Sequence, residues 1–408
     1  MQKSSSKKNT FIIASALAAV LLLCLGGFFV FFKQSNGSWQ DADNTQSAGT
    51  SLILKANNSS IPTPEVSAKS AILIEACSGE VIFSKNPDVR LPMASTTKIM
   101  TALVAIESCD ISKTVSVSPT AVGVEGSSVY LYPDEKLTLE DLIYAMMLES
   151  ANDAAAAIAI EVGGSVEKFA EMMNQKAQSM GLCDTHFENP HGLDGDSHFT
   201  TARELALIAR EALSNLTFKK IVSTHKKTIP LNETEGVRLL INHNKMLVSY
   251  EGAVGVKTGF TKKSGRCLVS AAERDGLTFI AVTLSAPDDW RDHTEMLDYG
   301  FSLYEARTLC TRGSFSYIMP ISGGQSDHVM LENTQDVTVI LPRGYGEIKC
   351  TVELPRFCLA PISEGECLGR LVFSFNGEEI AESKIVTKYA VDGQNYKKGF
   401  FERLFGKD

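Results

Sequence analysis

The sequence predicts a mixed α/β chain of the α+β kind, one antiparallel sheet with a helical insertion, followed by a small all-β domain. Three observations predict it. Strand-like runs open and close the stretch from Ser67 to Leu309, and helix-period patterns fill its middle. Short alternating strands take over from Cys310 to Val391. Turn dipeptides at Ser78-Gly79, Asp275-Gly276 and Asn376-Gly377 sit between apolar runs, where hairpins are expected. Strands at both ends of one region suit a single sheet closed by distant segments.

A chain of 408 residues implies two or three domains, and 44% hydrophobic residues supply a large core. The net charge of -9, with no arginine-rich stripe, speaks against a nucleic-acid partner, which needs concentrated positive charge.

Residues 1–33 carry Lys3, Lys7 and Lys8 and then an uncharged run from Thr10 to Phe32. About 20 apolar residues cross a bilayer as a helix, and flanking lysines on the N-terminal side orient it N-in. Two readings stay open, a retained signal anchor and a cleaved signal peptide. The run is long for a signal peptide and no small-x-small site closely follows it, which favours the anchor. Either way the remainder is expected outside the cytoplasm, attached to the cell membrane or secreted after cleavage. Residues 34–66 are rich in Ser, Asn, Thr, Gln, Ala and Gly, too polar to fold alone, and read as a flexible linker.

The main domain, 67–309, begins with the hairpin "SAILIEACSGEVIFSKN". A buried helix follows Ser95, with Ile99, Met100, Ala102, Leu103, Val104 and Ile106 behind it. Thr138, with Asp141 three residues on, caps the next helix. Phe169, Met172, Met173 and Met180 mark one face of another, stopped at Gly181, and Thr201 with Glu204 opens a fourth. Two apolar strands around Asp275-Gly276 close the domain. In 310–391 the runs "VTVIL", "KCTVEL", "GRLVFSF" and "SKIVTKY" read as strands. The tail 392–408 places Tyr396, Phe400, Phe401, Leu404 and Phe405 opposite Lys397, Lys398 and Arg403. Such an amphipathic segment either lies on an anionic membrane or packs against the β domain.

Nine cysteines are scattered without a C-x-x-C pair, and none of the seven histidines forms H-E-x-x-H. No metal and no cofactor is expected. The eight cysteines beyond Cys24 suit either disulfides in an oxidising space or small buried thiols. G-x-S-x-G is absent, which removes the α/β-hydrolase reading.

The chemistry lies in "ASTTKIM", where Ser95 and Lys98 share a helix face one turn apart. S-x-x-K alone is weak, since it recurs at Ser4, Ser5, Ser165 and Ser223. Downstream stand Ser150-Ala151-Asn152 and Lys257-Thr258-Gly259. Taken singly, the first reads as helix capping and the second as a strand ending in a turn. In this order the three motifs form the signature of penicillin-recognising serine enzymes.

The chain resembles the serine D-alanyl-D-alanine carboxypeptidases, the low-molecular-weight penicillin-binding proteins of the S11 peptidase family, from about Ser67 to Tyr389. "LPMASTTKIMTALVAIE", "ESANDAAAAIA", "ENPHGLDGDSHFTTARELALIA" and "GVKTGFTKKSGRCLVSAA" carry the likeness beyond the motifs. The resemblance implies a penicillin-binding/β-lactamase-like domain that removes the terminal D-alanine from peptidoglycan stem peptides. It implies an acyl-Ser95 intermediate and inhibition by β-lactam antibiotics. Lys98 is expected as base, with its pKa lowered by burial and by Lys257, and Ser150 as proton relay. Asn152 is expected to orient the substrate amide, and Lys257 and Thr258 to meet the terminal carboxylate. Gly259 lets the strand approach the ligand. The N–H groups of Ser95 and Phe260 are the expected oxyanion donors, and Arg291 a candidate second cation. His191 and His198 are expected to shape their loop. A β-lactamase, a DD-endopeptidase using the same site, and a non-catalytic β-lactam-binding wall scaffold are the alternatives. A retained N-terminal anchor departs from the family's usual C-terminal one.

Overall fold

The computed structural model describes residues 30–34 (backbone only), 61–231 and 236–394. The chain divides into two compact units, Ala56–Glu305, and Ala306–Asp408 grouped with Met1–Lys55.

The strand β1 (Val30–Gln34) belongs to the second unit. The first unit starts with β2 (Ser70–Glu75) and β3 (Val81–Lys85), joined through Gly79 at φ +78°. A short 3-10 turn (Ala94–Thr97) leads into α1 (Lys98–Ser108). Then come β4 (Thr114–Ser116), β5 (Lys136–Thr138), α2 (Leu139–Leu148), α3 (Asn152–Gly163) and α4 (Val166–Ser179). After α5 (Ala202–Ser214) and α6 (Leu216–Ser223), β6 (Lys226–Pro230) and β7 (Val237–Ile241) pair with each other. A single turn, α7 (Met246–Ser249), precedes β8 (Ala253–Thr261), β9 (Gly265–Arg274), β10 (Leu277–Leu284) and α8 (Asp289–Leu303).

The sheet runs β3-β2-β10-β9-β8, antiparallel at every pairing, so this unit's first strands close against its last. Both faces are covered. Ile72, Ile74, Ile280 and Val282 join the core made by the helices. Side chains alternate along a strand, so Leu73 and Phe279 face the other way, onto Gly300 and Phe301 of α8. Burying each such side chain is worth about 1.5–3 kcal/mol, which explains why β2 is apolar from Ala71 to Ile74 rather than alternating. β8 is an edge strand, with one side on β9 and the other against the turn that holds Ser95.

The expected caps form. Thr138 Oγ1 accepts from Asp141 N–H at 3.0 Å and Thr201 Oγ1 from Glu204 N–H at 3.1 Å. Glu204, however, turns its carboxylate to the N–H groups of Cys183 and Asp184 instead of back to its own cap. The helix with Phe169 and Met173 ends at Ser179, with Met180 as C-cap and Gly181 at φ +74°.

In the second unit a seven-stranded sheet runs β1-β15-β17-β18-β13-β12-β16. Its strands are β12 (Ser316–Ser322), β13 (His328–Asn333), β15 (Ile348–Leu354), β16 (Cys358–Leu359), β17 (Cys367–Phe375) and β18 (Glu378–Thr387). β11 (Tyr304–Cys310) and β14 (Val337–Pro342) pair separately. Asn376 and Gly377, both at positive φ, make the expected hairpin turn. Leu331, Val352 and Ile385 are fully buried in its core.

Of the run expected to cross the membrane, only Val30, Phe31 and Phe32 are described. With Lys33 and Gln34 they form β1, parallel to β15, with Val30 opposite Cys350. The end of that run is therefore extended, its backbone satisfied by an otherwise open sheet edge. The rest of the run, most of the linker and the amphipathic tail lie outside the described residues. Among the described residues, no helix is long and apolar enough to cross a membrane, and all eight cysteines are free thiols.

Candidate active site

Ser95 lies in the 3-10 turn that feeds α1, just after Ala94, whose φ of +46° is unusual for a residue with a Cβ. Lys98 is the first residue of α1 and is wholly buried. Its Nζ has three partners: Ser95 Oγ at 2.9 Å, Asn152 Oδ1 at 2.7 Å and the His191 carbonyl at 2.6 Å.

Those partners fix the amine's chemistry. The His191 carbonyl only accepts, and Asn152 is held oxygen-first because its Nδ2 donates to the Glu125 carbonyl. Ser95 is the one partner that can donate. In its neutral form the amine can give its two N–H groups to Asn152 and His191 and offer its lone pair to the Ser95 hydroxyl. Burial, and then the neighbouring charge of Lys257, hold the Lys98 pKa well below the ordinary lysine range, against an opposing pull from Asp153. The positive end of the α1 dipole adds to the cost of an ammonium there.

Neither member of the middle motif is a cap. α3 has Ala151 at its N-cap and no side-chain cap bond. Ser150 is held at φ +60° and lines the cleft with Ser95. Asn152, through its side-chain contacts with Lys98 and Glu125 and an N–H bond to the Ser127 carbonyl at 2.7 Å, ties the base to the neighbouring loop. Both ends of the amide expected to orient the substrate have partners here, Lys98 at the oxygen and the Glu125 carbonyl at the nitrogen.

Lys257 is 2% exposed on β8, and burial alone lowers its pKa to about 7. Its Nζ donates to the Thr258 carbonyl at 3.0 Å. Thr258, Gly259 and Phe260 line a cleft of about 340 Å³ with Ser95 and Ser150. At Gly259 a Cβ would stand 3.1 Å from Ser95 N and 3.2 Å from the Met93 carbonyl oxygen, so glycine is what lets β8 approach the nucleophile's backbone.

Arg291 does not join these groups. It sits half-exposed on α8 beside Asp288, the helix N-cap, and Glu295, at 3.4 and 3.6 Å. The arginine that lines the cleft is Arg266, held by Asp289 at 2.8 Å. The sequence signal for it was the tight turn after Thr261, which sets Arg266 opposite Phe260 in the β8–β9 register. His243 also lines the cleft, 3.1 Å from Glu149, and nothing in its sequence surroundings points there.

The loop 188–198 closes the back of the site. His191 has its pKa lowered to about 3 by burial and by Lys98, so the ring stays neutral while its carbonyl accepts from Lys98 Nζ. Thr101 Oγ1 donates to the Pro190 carbonyl at 2.6 Å. Gly192, at φ +90°, passes so close that a Cβ would stand 2.0 Å from the Ala94 carbonyl oxygen. Gly192→Ala is therefore expected to cost stability beyond the roughly 1–3 kcal/mol of backbone strain and to slow labelling of Ser95. Gly123→Ala, at φ +79° with open space around it, carries the strain alone. Denaturant midpoints of the two variants check this, and equal midpoints would remove the packing role given to Gly192.

A serine hydroxyl bonded to a desolvated lysine, beneath an edge strand that carries a second buried lysine, matches the class of penicillin-recognising serine enzymes. Residues 47–288 match the family described as D-alanyl-D-alanine carboxypeptidase (Peptidase_S11), and residues 304–392 the Penicillin-binding protein 5 C-terminal domain. The chain belongs to this S11 serine peptidase family, as a low-molecular-weight penicillin-binding D-alanyl-D-alanine carboxypeptidase. It is 34% identical to D-alanyl-D-alanine carboxypeptidase DacF of Bacillus subtilis over 79% of this chain and 85% of that protein. It is 30% identical to DacC of Escherichia coli over 86% of this chain and 90% of the other. Penicillin-binding protein 5 of Haemophilus influenzae superposes with a TM-score of 0.60 at 27% identity, over 81% of this chain and 99% of its own.

Proposed function

We propose that this carboxypeptidase removes the terminal D-alanine from peptidoglycan stem pentapeptides through an acyl-Ser95 intermediate. The observation that carries the reading is the Lys98 amine with two acceptor-only partners and one hydroxyl.

Lys98 takes the Ser95 proton as Oγ attacks the penultimate D-alanine carbonyl. The N–H groups of Ser95 and Phe260 receive the oxyanion. Lys257, Thr258 and Arg266 meet the terminal carboxylate, with Arg266 in the place first assigned to Arg291. The Ser150 hydroxyl passes the proton from Lys98 to the leaving nitrogen, D-alanine departs, and water then cleaves the ester. A β-lactam enters by the same attack, but its leaving nitrogen stays tethered through the opened ring, so the ester persists. The lysines ahead of the Thr10–Phe32 run support a site of action outside the cytoplasm, on a membrane-attached enzyme. The aromatic, basic tail offers that membrane a second contact.

The full-length protein in detergent is expected to release D-alanine from diacetyl-Lys-D-Ala-D-Ala, and Ser95→Ala to release none. Release that survives the substitution would reject the nucleophile. Stable labelling by fluorescent penicillin without release would favour the wall scaffold, and rapid penicillin turnover a β-lactamase.

A further inference from the structure

One side-chain relay behind the nucleophile has no part in the steps above. His198 is 3% exposed and carries a bond at each ring nitrogen. Its Nδ1 lies 3.1 Å from the Glu188 N–H and its Nε2 2.7 Å from Thr97 Oγ1. Thr97, fully buried, has its Oγ1 2.8 Å from the Ala94 carbonyl oxygen.

Every polarity in this relay is forced. A backbone N–H only donates, so Nδ1 accepts and the ring proton sits on Nε2. Nε2–H then donates to Thr97 Oγ1, and the hydroxyl hydrogen is left for the Ala94 carbonyl. Burial holds the His198 pKa down at about 4, so the ring stays in this neutral form across the neutral pH range.

The end of the relay is what matters for the reaction. The Ala94 carbonyl and the Ser95 N–H belong to one peptide unit, and in a trans peptide the two point in opposite directions. Anchoring the carbonyl towards Thr97 aims the N–H away from it, to the side where Gly259 stands beside Ser95 N. That N–H lies in the first turn of the 3-10 segment, where no partner within the helix can claim it. The peptide also follows Ala94 at positive φ, a conformation that needs support from its surroundings.

We infer that His198, acting through Thr97, is a positioning residue that orients the Ser95 N–H as an oxyanion donor. The inference rests on the acyl-Ser95 reading. Loop 188–198 thereby serves both halves of the chemistry, its His191 carbonyl holding the base and its His198 ring setting the oxyanion hole.

The test uses full-length protein in detergent, labelled with a penicillin carrying 13C at the β-lactam carbonyl and read by infrared difference spectroscopy. A well-aimed donor lowers the ester carbonyl stretch, whereas a role confined to packing leaves it unchanged. Thr97→Val, nearly the same shape without the hydroxyl, is expected to move the band to higher frequency. It should slow acylation about 10- to 100-fold, somewhat less than losing a whole donor. Thr97→Ser keeps the hydroxyl and is expected to restore both. His198→Ala should repeat the valine result, and the double variant should be no slower than either single one. Thr97→Ala replaces the valine variant if valine impairs folding. A wild-type band position in Thr97→Val, equal acylation by the valine and serine variants, or additive losses in the double variant would each overturn the assignment. Absence of any acyl ester in the unmodified protein would instead bring down the reading on which it rests.

Discussion

Lys98→Arg is expected to abolish acylation as thoroughly as Lys98→Met, by about 10³- to 10⁴-fold, the upper range for a general base. Arginine keeps a positive charge and several donors, so it would preserve a site that needs only electrostatic attraction or a tether. It cannot lose its proton at any pH where the protein is folded. The His191 carbonyl and Asn152 Oδ1 take two N–H groups of the Lys98 amine, so once it is deprotonated its lone pair is left for the Ser95 hydroxyl, a role no guanidinium can fill. The measurement is the rate of fluorescent-penicillin labelling beside a melting curve for each variant. A labelling rate for the arginine variant within tenfold of the parent would sink the proton-acceptor role.

The second large effect is a pH dependence written by two buried lysines. In the proposed reaction Lys257 has to be charged to attract the terminal carboxylate, and burial has brought its pKa to about 7. As pH rises through that value the ammonium is lost, so kcat/KM should fall on the alkaline side. On the acid side it should fall when Lys98, whose pKa lies well below the ordinary value, takes up a proton. The result is a bell in kcat/KM, which reports the free enzyme. In kcat the alkaline limb should move to higher pH, because a bound carboxylate favours the charged form of Lys257. Lys257→Met should lower kcat/KM about 10- to 100-fold, the worth of a charge-assisted contact, and erase the alkaline limb. Stability carries the same signature with a definite sign. Between pH 7 and the ordinary lysine value of 10.5 the unfolded chain binds more protons at this residue than the folded one, so stability rises with pH. The difference in melting temperature between parent and Lys257→Met over that window isolates this effect. A flat difference would mean that Lys257 is not desolvated in solution.

Much of the catalytic unit was readable because its determinants are local. The Ser95–Lys98 spacing, the Thr138 and Thr201 caps and the Asn376-Gly377 turn each depend on residues a few positions apart. β8 was legible as the strand of Lys257-Thr258-Gly259, and the sheet closed by distant segments followed from apolar runs at both ends of the domain. Arg291 shows where this stops. An arginine near the end of the domain has the right charge, but α8 turns it towards Asp288 and Glu295, while the β9 register brings Arg266 to the cleft. Asn152 shows the same limit. Its motif marks it as part of the site, yet only the fold reveals that its oxygen is given to the base and its nitrogen to the Glu125 carbonyl.

By itself the sequence determined the two-part architecture and the order of the three motifs, and it named Ser95 and Lys98 as the expected nucleophile and base, since each follows from short-range spacing and side-chain chemistry. Tertiary structure alone decided which groups surround the buried Lys98 amine, which arginine lines the cleft and where the Ala94 carbonyl is anchored. Those properties depend on partners 54 and 93 residues from Lys98 and on the exclusion of water around its amine. Desolvation and hydrogen-bond direction belong to neighbours in space, and no periodicity along a chain encodes them.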